Sequence, residues 1–348
     1  MPVEPPCSRR ADSGRAESIA KLSVQEEDAW FNAVKIGGLV ELEGSYTDPY
    51  GGNDETDAVV ATVELGLAAQ VHDWVGGEVV LLHEEDDTEP IEVDVATVTV
   101  GPLGGPWSFT GGQYYLPFGT FETSLISDPL TLEVGEIRET ALQFGVSSSG
   151  FHGAVYGFNG DNNRGGRERI SGYGGVAGYF MKSGGSEFGL NLSYITDIGD
   201  SDSLQGVIAD TLGSNDVADR VPGWAVGAKF RFREVSLIGE YLAALDSFQA
   251  NEVLFGGGGA KPSSWMVEAA YDFDLASKAA TLAVGYQGTD EAIALELPER
   301  RFLAGLSVEV VEQVALAVEW AHDDDYGGTD GGTGNSADTF TAQLAVEF

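Results

Sequence analysis

Cysteine is almost missing from this chain. Cys7 is the single one among 348 residues. A disulfide framework and a cysteine-based zinc site are therefore excluded. Positive charge is also scarce: 18 Lys and Arg stand against 56 Asp and Glu, a net charge of −38. Such an excess repels phosphate backbones, so nucleic acid is not an expected partner. No apolar run approaches the 18 residues of a membrane-crossing helix. The first 30 residues lack the apolar core of a signal peptide. Export then requires that a signal was removed or that the start codon is misplaced. The four histidines, His72, His83, His152 and His322, are scattered and form no His-Glu-x-x-His pattern. A Gly-x-Ser-x-Gly elbow, a phosphate-binding loop and a dinucleotide fingerprint are missing as well. The chain is not expected to be an enzyme. No catalytic residue, metal ligand or cofactor is assigned, although an outer-membrane hydrolase stays open as a remote alternative.

What is present is glycine, 48 residues of it, and a hydrophobic fraction of 43%. Residues 1–33 read as an N-terminal tail or short helical stub. From Val34 onward, apolar and polar residues alternate in segments of about ten, separated by Gly, Asp, Asn and Ser. Near the end, Phe340, Ala342, Leu344, Val346 and Phe348 oppose Thr341, Gln343, Ala345 and Glu347. Near the middle, Trp224, Val226, Ala228, Phe230 and Phe232 oppose Ala225, Gly227, Lys229, Arg231 and Arg233. Sixteen segments are predicted: 34–46, 58–70, 76–85, 91–100, 107–115, 138–147, 151–160, 171–181, 187–196, 221–232, 234–245, 263–273, 279–288, 298–309, 313–322 and 337–348. Short links alternate with mostly longer ones, of which 116–137 and 197–220 are the longest. Trp74, Trp107, Trp224, Trp265, Trp320, Tyr46, Tyr194, Tyr241, Tyr271 and Tyr286 fall near segment ends. Even strand number, alternating link length and aromatic girdles together predict an all-β fold, a single antiparallel transmembrane β-barrel of 16 strands over 34–348. The expected location is the bacterial outer membrane, with both termini periplasmic. Outer-membrane lipid, lipopolysaccharide and small solutes are the expected partners, and a homotrimer is possible at this size.

The stretch between the fifth and sixth segments breaks the alternation. It carries Leu116, Phe118, Leu125, Ile126, Leu130 and Leu132, which a loop waving in water does not need. Folded into the lumen, it would narrow the pore and set Glu122, Asp128, Glu133, Glu136 and Glu139, with Arg138, at the constriction. Packed over the barrel mouth as a lid, it would equally bury those apolar residues. The same stretch reads Pro117-Phe118-Gly119, Glu122-Thr123, Ser127-Asp128-Pro129-Leu130-Thr131-Leu132-Glu133, Gly135-Glu136 and Arg138-Glu139-Thr140-Ala141. These motifs, within 112–141, resemble the LbtU-type siderophore porins, and the likeness extends more loosely from Val34 to Phe348. The resemblance implies a 16-stranded outer-membrane barrel tied to siderophore-linked iron uptake without an energy-coupled plug. Members often carry a helical, coiled-coil segment before the barrel, which here is missing or reduced to the stub before Trp30.

Lys229, Arg231 and Arg233 form a second cluster, a lumen basic wall that would set a transverse field against the acidic loop. Alternatively these side chains pair with lumen acids such as Glu240 and Glu268 and hold the wall. The acidic runs Glu84–Asp87, Asp197–Asp202 and Asp323–Asp325 either capture divalent cations or form a solvated acidic surface. Three functions follow: a diffusion porin linked to siderophore and iron uptake, a general cation-selective porin of a salt-adapted bacterium, or a structural or adhesive surface barrel.

Overall fold

Alternation at period two puts one set of side chains on each face of a strand, and sixteen such strands close on themselves. The computed structural model describes residues 33–348 apart from 86–89, 103, 166–169 and 171. The tail or stub expected at the N-terminus lies outside the described residues up to residue 32, as do Asp86 and Asp87. The barrel strands are β1 (Ala33–Asp48), β2 (Glu55–His72), β3 (Val75–His83), β4 (Glu92–Val100), β5 (Trp107–Tyr115), β6 (Arg138–Ser148), β7 (Phe151–Asn159), β8 (Gly172–Ser183), β9 (Ser186–Ile195), β10 (Gly223–Phe232) and β11 (Val235–Ala244). After a small hairpin of β12 (Leu254–Phe255) and β13 (Gly258–Gly259), the barrel continues with β14 (Ser263–Leu275), β15 (Lys278–Asp290), β16 (Arg300–Val311), β17 (Val314–Asp324) and β18 (Ser336–Glu347). Each barrel strand pairs antiparallel with its neighbours, and β1 pairs β18, from Leu39 opposite Glu347 to Asp48 opposite Asp338. Closure leaves no unpaired edge in the barrel, which removes the template for edge-to-edge association.

The sixteen expected segments all correspond to strands. The turns at one end are tight because the local backbone supplies positive φ. Ser149 and Gly150, Gly184 and Gly185, and Ala276 and Ser277 each take positive φ in pairs, the geometry that matches the twist of a two-residue hairpin. Both ends of the described chain lie on this short-turn side, where Phe348 exchanges backbone hydrogen bonds with Gly38 at 2.8 and 3.0 Å.

The outward face is apolar. Leu65, Leu67, Phe230, Val267, Leu282, Val284, Leu316 and Val318 are exposed, while their neighbours Glu64, Met266, Glu268, Ala283 and Glu319 are buried. Aromatic residues stand on neighbouring strands toward the long-loop end: Tyr46 is opposite Phe340, Phe340 opposite Trp320, Phe302 opposite Tyr286, Tyr241 opposite Trp265 and Tyr194 opposite Trp224. Trp74 and Trp107 pack 5.7 Å apart toward the other end. This is the girdle arrangement of a barrel whose middle meets hydrocarbon. Val284→Arg, near the middle of that face, is expected to destabilise the refolded barrel by about 2–4 kcal/mol relative to Val284→Ala. A denaturant titration in lipid vesicles measures it, and equal stability of the two variants would show that lipid does not cover this face.

Candidate functional site

Segment 116–137, between β5 and β6, is the centre of the site. Leu116, Phe118, Phe121, Leu125, Leu130, Val134 and Ile137 are all buried. Its N–H and O–H donors end on side chains of distant strands. On β11, Glu240 accepts from Thr120 N, from Thr120 Oγ1 at 2.9 Å, from Phe121 N at 3.0 Å and from Thr131 Oγ1 at 2.9 Å. Glu268 on β14 accepts from Thr123 Oγ1 at 2.6 Å and Ser124 N at 2.9 Å. Glu319 on β17 accepts from Ile126 N, from Ser127 N at 3.0 Å and from Ser127 Oγ. Gln287 Oε1 takes Leu130 N at 2.8 Å, and Ser193 Oγ takes Gly119 N at 3.1 Å. These acceptors all sit on the strand faces that alternate with the exposed apolar side chains. A buried carboxylate that receives several N–H and O–H donors is held by charge-assisted bonds, roughly twice as strong as neutral ones.

The wall is also shaped for this segment. Leu125 lies over Gly285 and Gly305, where an added Cβ would come within 3.0 and 2.9 Å of its methyl carbons. Leu125 packs there with Ala270, Ala283, Leu303 and Ala321. A short helix, α1 (Leu130–Gly135), follows Pro129, and its C-cap carbonyl at Glu136 accepts from Asp202 N at 3.0 Å. That donor belongs to α2 (Asp202–Leu212), in the 196–222 link, where the sequence reading placed only a long loop. The Ser201 side chain caps the helix by accepting from Leu204 N, and Gly213 ends it at φ 68°. Leu204 and Ile208, one turn apart, bury the inner stripe.

The expected site residues separate into three groups. Asp128, Glu133, Glu136 and Arg138 line one cavity of about 940 Å³. Arg138 pairs there with Glu92 and, at 3.0 Å, with Asp94. Glu122 turns away to an ion pair with Lys229. Glu139 is buried and accepts from Asp161 N at 3.1 Å.

Of the expected basic wall, Lys229 and Arg231 stand on β10 and Arg233 does not. Arg233 lies beyond the end of β10, in the turn, at φ 54°, with its guanidinium 5.1 Å from the centre of the Phe232 ring. Lys229 and Arg231 are paired, with Glu122 and Asp272, and not with Glu240 or Glu268, whose oxygens are taken by segment 116–137. The cavity's far wall is acidic instead: Glu41 and Glu43 on β1, Glu64 on β2, Glu92 on β4 and Glu347 on β18. Among the described lining residues Arg138 is the one base. The signal that would have found the wall acids was present, since they occupy the polar positions of alternating strands. A second correction concerns the 197–202 acids. Asp197 and Asp200 are each 1% exposed, not solvated.

No model of a known protein family matches the chain. A UPF0422 protein of Legionella pneumophila (strain Philadelphia 1) is 28% identical over 352 residues, which cover 90% of this chain and 66% of that protein. A UPF0422 protein of Coxiella burnetii is 28% identical over 302 residues, covering 84% and 64%. The chain thus spans a little under two thirds of these relatives' length. Among solved structures, an anion-selective porin from Comamonas acidovorans superposes with TM-score 0.64 at 16% identity, over 90% of this chain and 99% of that one. Salmonella typhi OmpF, in complex with daunomycin, superposes with TM-score 0.66 at 14% identity, over 94% and 100%. The outer membrane channel DcaP of Acinetobacter baumannii gives 0.61 at 16%, over 91% and 97%. The shared fold is that of the porins.

Glu240→Ala removes the acceptor of two backbone donors and two hydroxyls. Each buried donor left without a partner costs about 1–3 kcal/mol. Amides of Thr120 and Phe121 are therefore expected to exchange with solvent hydrogen at least tenfold faster, while the β-sheet circular dichroism stays unchanged. Unaltered exchange at those amides would show that Glu240 does not hold the segment.

Proposed function

We propose that the chain is an outer-membrane diffusion channel preferring small cations, with segment 116–137 folded into the barrel as its constriction. The observation that carries this reading is the cavity between that segment and β1–β4. Asp128, Glu133 and Glu136 line one side, Glu41, Glu43 and Glu64 the other. Charge of one sign on opposing walls of a narrow aqueous path raises the local cation concentration and excludes anions. In-folding is supported by the partners of the segment, which belong to β9, β11, β14, β15 and β17 and lie on their non-apolar faces. A lid over the mouth would not need acceptors from so many strands. The outer-membrane location rests on the apolar outer face and its girdles, together with the porin fold. Both termini then sit in the periplasm, because short turns belong on that side. Lipid, lipopolysaccharide and solutes are the partners this implies. A homotrimer is tested by sedimentation of the detergent-solubilised protein.

The likeness of 112–141 to siderophore porins favours a second reading, diffusion of ferric chelates. The acidic lining restricts that cargo to neutral or cationic chelates, since an anionic one meets repulsion from both walls. Uptake of labelled chelate by cells with and without the gene decides it, and equal uptake would count against iron.

In a planar bilayer with a potassium chloride gradient, the zero-current potential is expected to show potassium passing several-fold more readily than chloride. Glu133→Gln combined with Glu136→Gln is expected to reduce that ratio. A preference for chloride in the wild-type protein would sink the cation reading.

A further inference from the structure

A second acidic group, Asp197, Asp200 and Glu139, lies outside the cavity lining. Asp197 Oδ1 accepts from Gly199 N at 3.1 Å and Val221 N at 3.4 Å, and its Oδ2 is 3.4 Å from Arg220 Nε. Asp200 Oδ1 accepts from Asn162 N at 2.8 Å. Glu139, at the start of β6, reaches Asp161 N in the same region. Three stretches of chain therefore meet here: β6, the residues after β7, and the 196–222 link. Asn162 is 1% exposed, and neither atom of its side-chain amide has a hydrogen-bond partner; nor has Asp200 Oδ2. That amide is turned into the group, because a Cβ on Gly199 would meet both Asn162 Nδ2 and Asp197 Oδ1 at 3.0 Å.

The charged groups facing the pair are few. Glu139, Asp161, Asp197 and Asp200 meet Arg220 as the one nearby base among the described residues. Further out, Arg164 is paired with Asp219 at 2.7 Å, Arg138 N reaches Asp202 Oδ1 at 3.4 Å, and Glu252 accepts from Ala218 N at 2.8 Å.

The same link reaches the pore. Asp202, Ser203, Gln205 and Gly206 of α2 line the cavity, and Asp202 N holds the Glu136 carbonyl at the end of the constriction segment. We propose that the Asp197–Asp200 group is a pH-sensitive latch: protonated, it keeps the 196–222 flap packed beside segment 116–137, and ionised, it releases the flap and widens the cavity mouth. The physical cause is uncompensated negative charge in a dry place. Two to four carboxylates share one guanidinium, and the buried amide of Asn162 gains a donor only when a neighbouring carboxyl holds its proton.

Burial pushes both carboxyls up, Asp197 to about 8 with help from the Asp200 charge and Asp200 to about 6, against the pull of Arg220 and the backbone N–H groups. A carboxyl that holds its proton more tightly when packed than when released takes up protons on packing. Packing is then strongest below about pH 4, where the released carboxyls are protonated too, weakens steadily as pH rises above that, and is weakest from about pH 8, where the packed Asp197 has ionised.

Hydrogen–deuterium exchange of the 198–212 amides, corrected for the intrinsic pH dependence, tests the latch on the full chain in detergent. Protection in the wild type is expected to fall at least tenfold between those two pH values. Asp197→Asn with Asp200→Asn is expected to keep the flap protected at both. Should that variant fail to fold, Arg220→Gln serves: removing the base weakens only the packed ionised form, so protection is expected to stay unchanged at the low end and its midpoint to move to lower pH, whereas a merely structural loss would lower protection at both ends. Constant wild-type protection, or an unshifted midpoint in Arg220→Gln, would overturn the proposal. Exchange reads the flap without any current, so this result stands apart from whether the barrel selects cations.

Discussion

The burial of one loop's backbone sets the terms for everything else in this barrel. Segment 116–137 brings its N–H groups away from bulk water, and each one left without an acceptor would cost about 1–3 kcal/mol. Glu240, Glu268 and Glu319 meet that need, and the loop meets theirs, since a lone buried carboxylate costs several kcal/mol. Neither half is tolerable without the other. Among the described residues, the glutamates on β11, β14 and β17 accordingly pair with no arginine. The arrangement also explains the pits at Gly285 and Gly305, which let Leu125 approach the wall closely enough for the hydrogen bonds on either side of it to form.

The loop's hydrogen-bond partners lie on β9 to β17, and the cavity lies between the loop and β1–β4 with β18. Carboxylates on the two sides consequently do different work. Those of β11, β14 and β17 hold the loop, and those of β1 and β2 face the open path. Lys229 and Arg231 fall on the occupied side and are neutralised by Glu122 and Asp272. The acids lining the cavity come from both sides, and Arg138 among them is paired with Glu92 and Asp94.

The strands were legible because period two is a local signal that lipid on one face and polar contacts on the other both reinforce. For 107–115 the predicted and observed limits coincide. The burial of 116–137 was legible from Leu116, Phe118 and Leu125, apolar residues in a place that alternation had vacated. Partner choice was not legible. Whether Lys229 meets Glu240 or Glu122 depends on the path the loop takes, and nothing in the 107-residue separation of Glu122 and Lys229 records that. The α2 helix was readable in principle, from Ser201 as cap, Leu204 and Ile208 one turn apart, and Gly213 as stop. Its acidic residues drew the reading toward a solvated loop. Burial of Asp197 and Asp200 breaks the rule that acids in links are wet, and such exceptions are where conformational control is found.

Screening decides how far the acidic walls act together. A cavity of about 940 Å³ has a width on the order of 10 Å, close to the Debye length of about 10 Å at 0.1 M salt. In the proposed ion path, the potentials from the loop acids and the wall acids would overlap throughout the cavity at that ionic strength, and a chloride ion would meet repulsion wherever it stands. Near 1 M the Debye length drops to about 3 Å. Each wall then screens itself, and a neutral core opens between them. In the proposed channel, selectivity would rest on Glu133, Glu136 and the few wall acids facing them across the cavity.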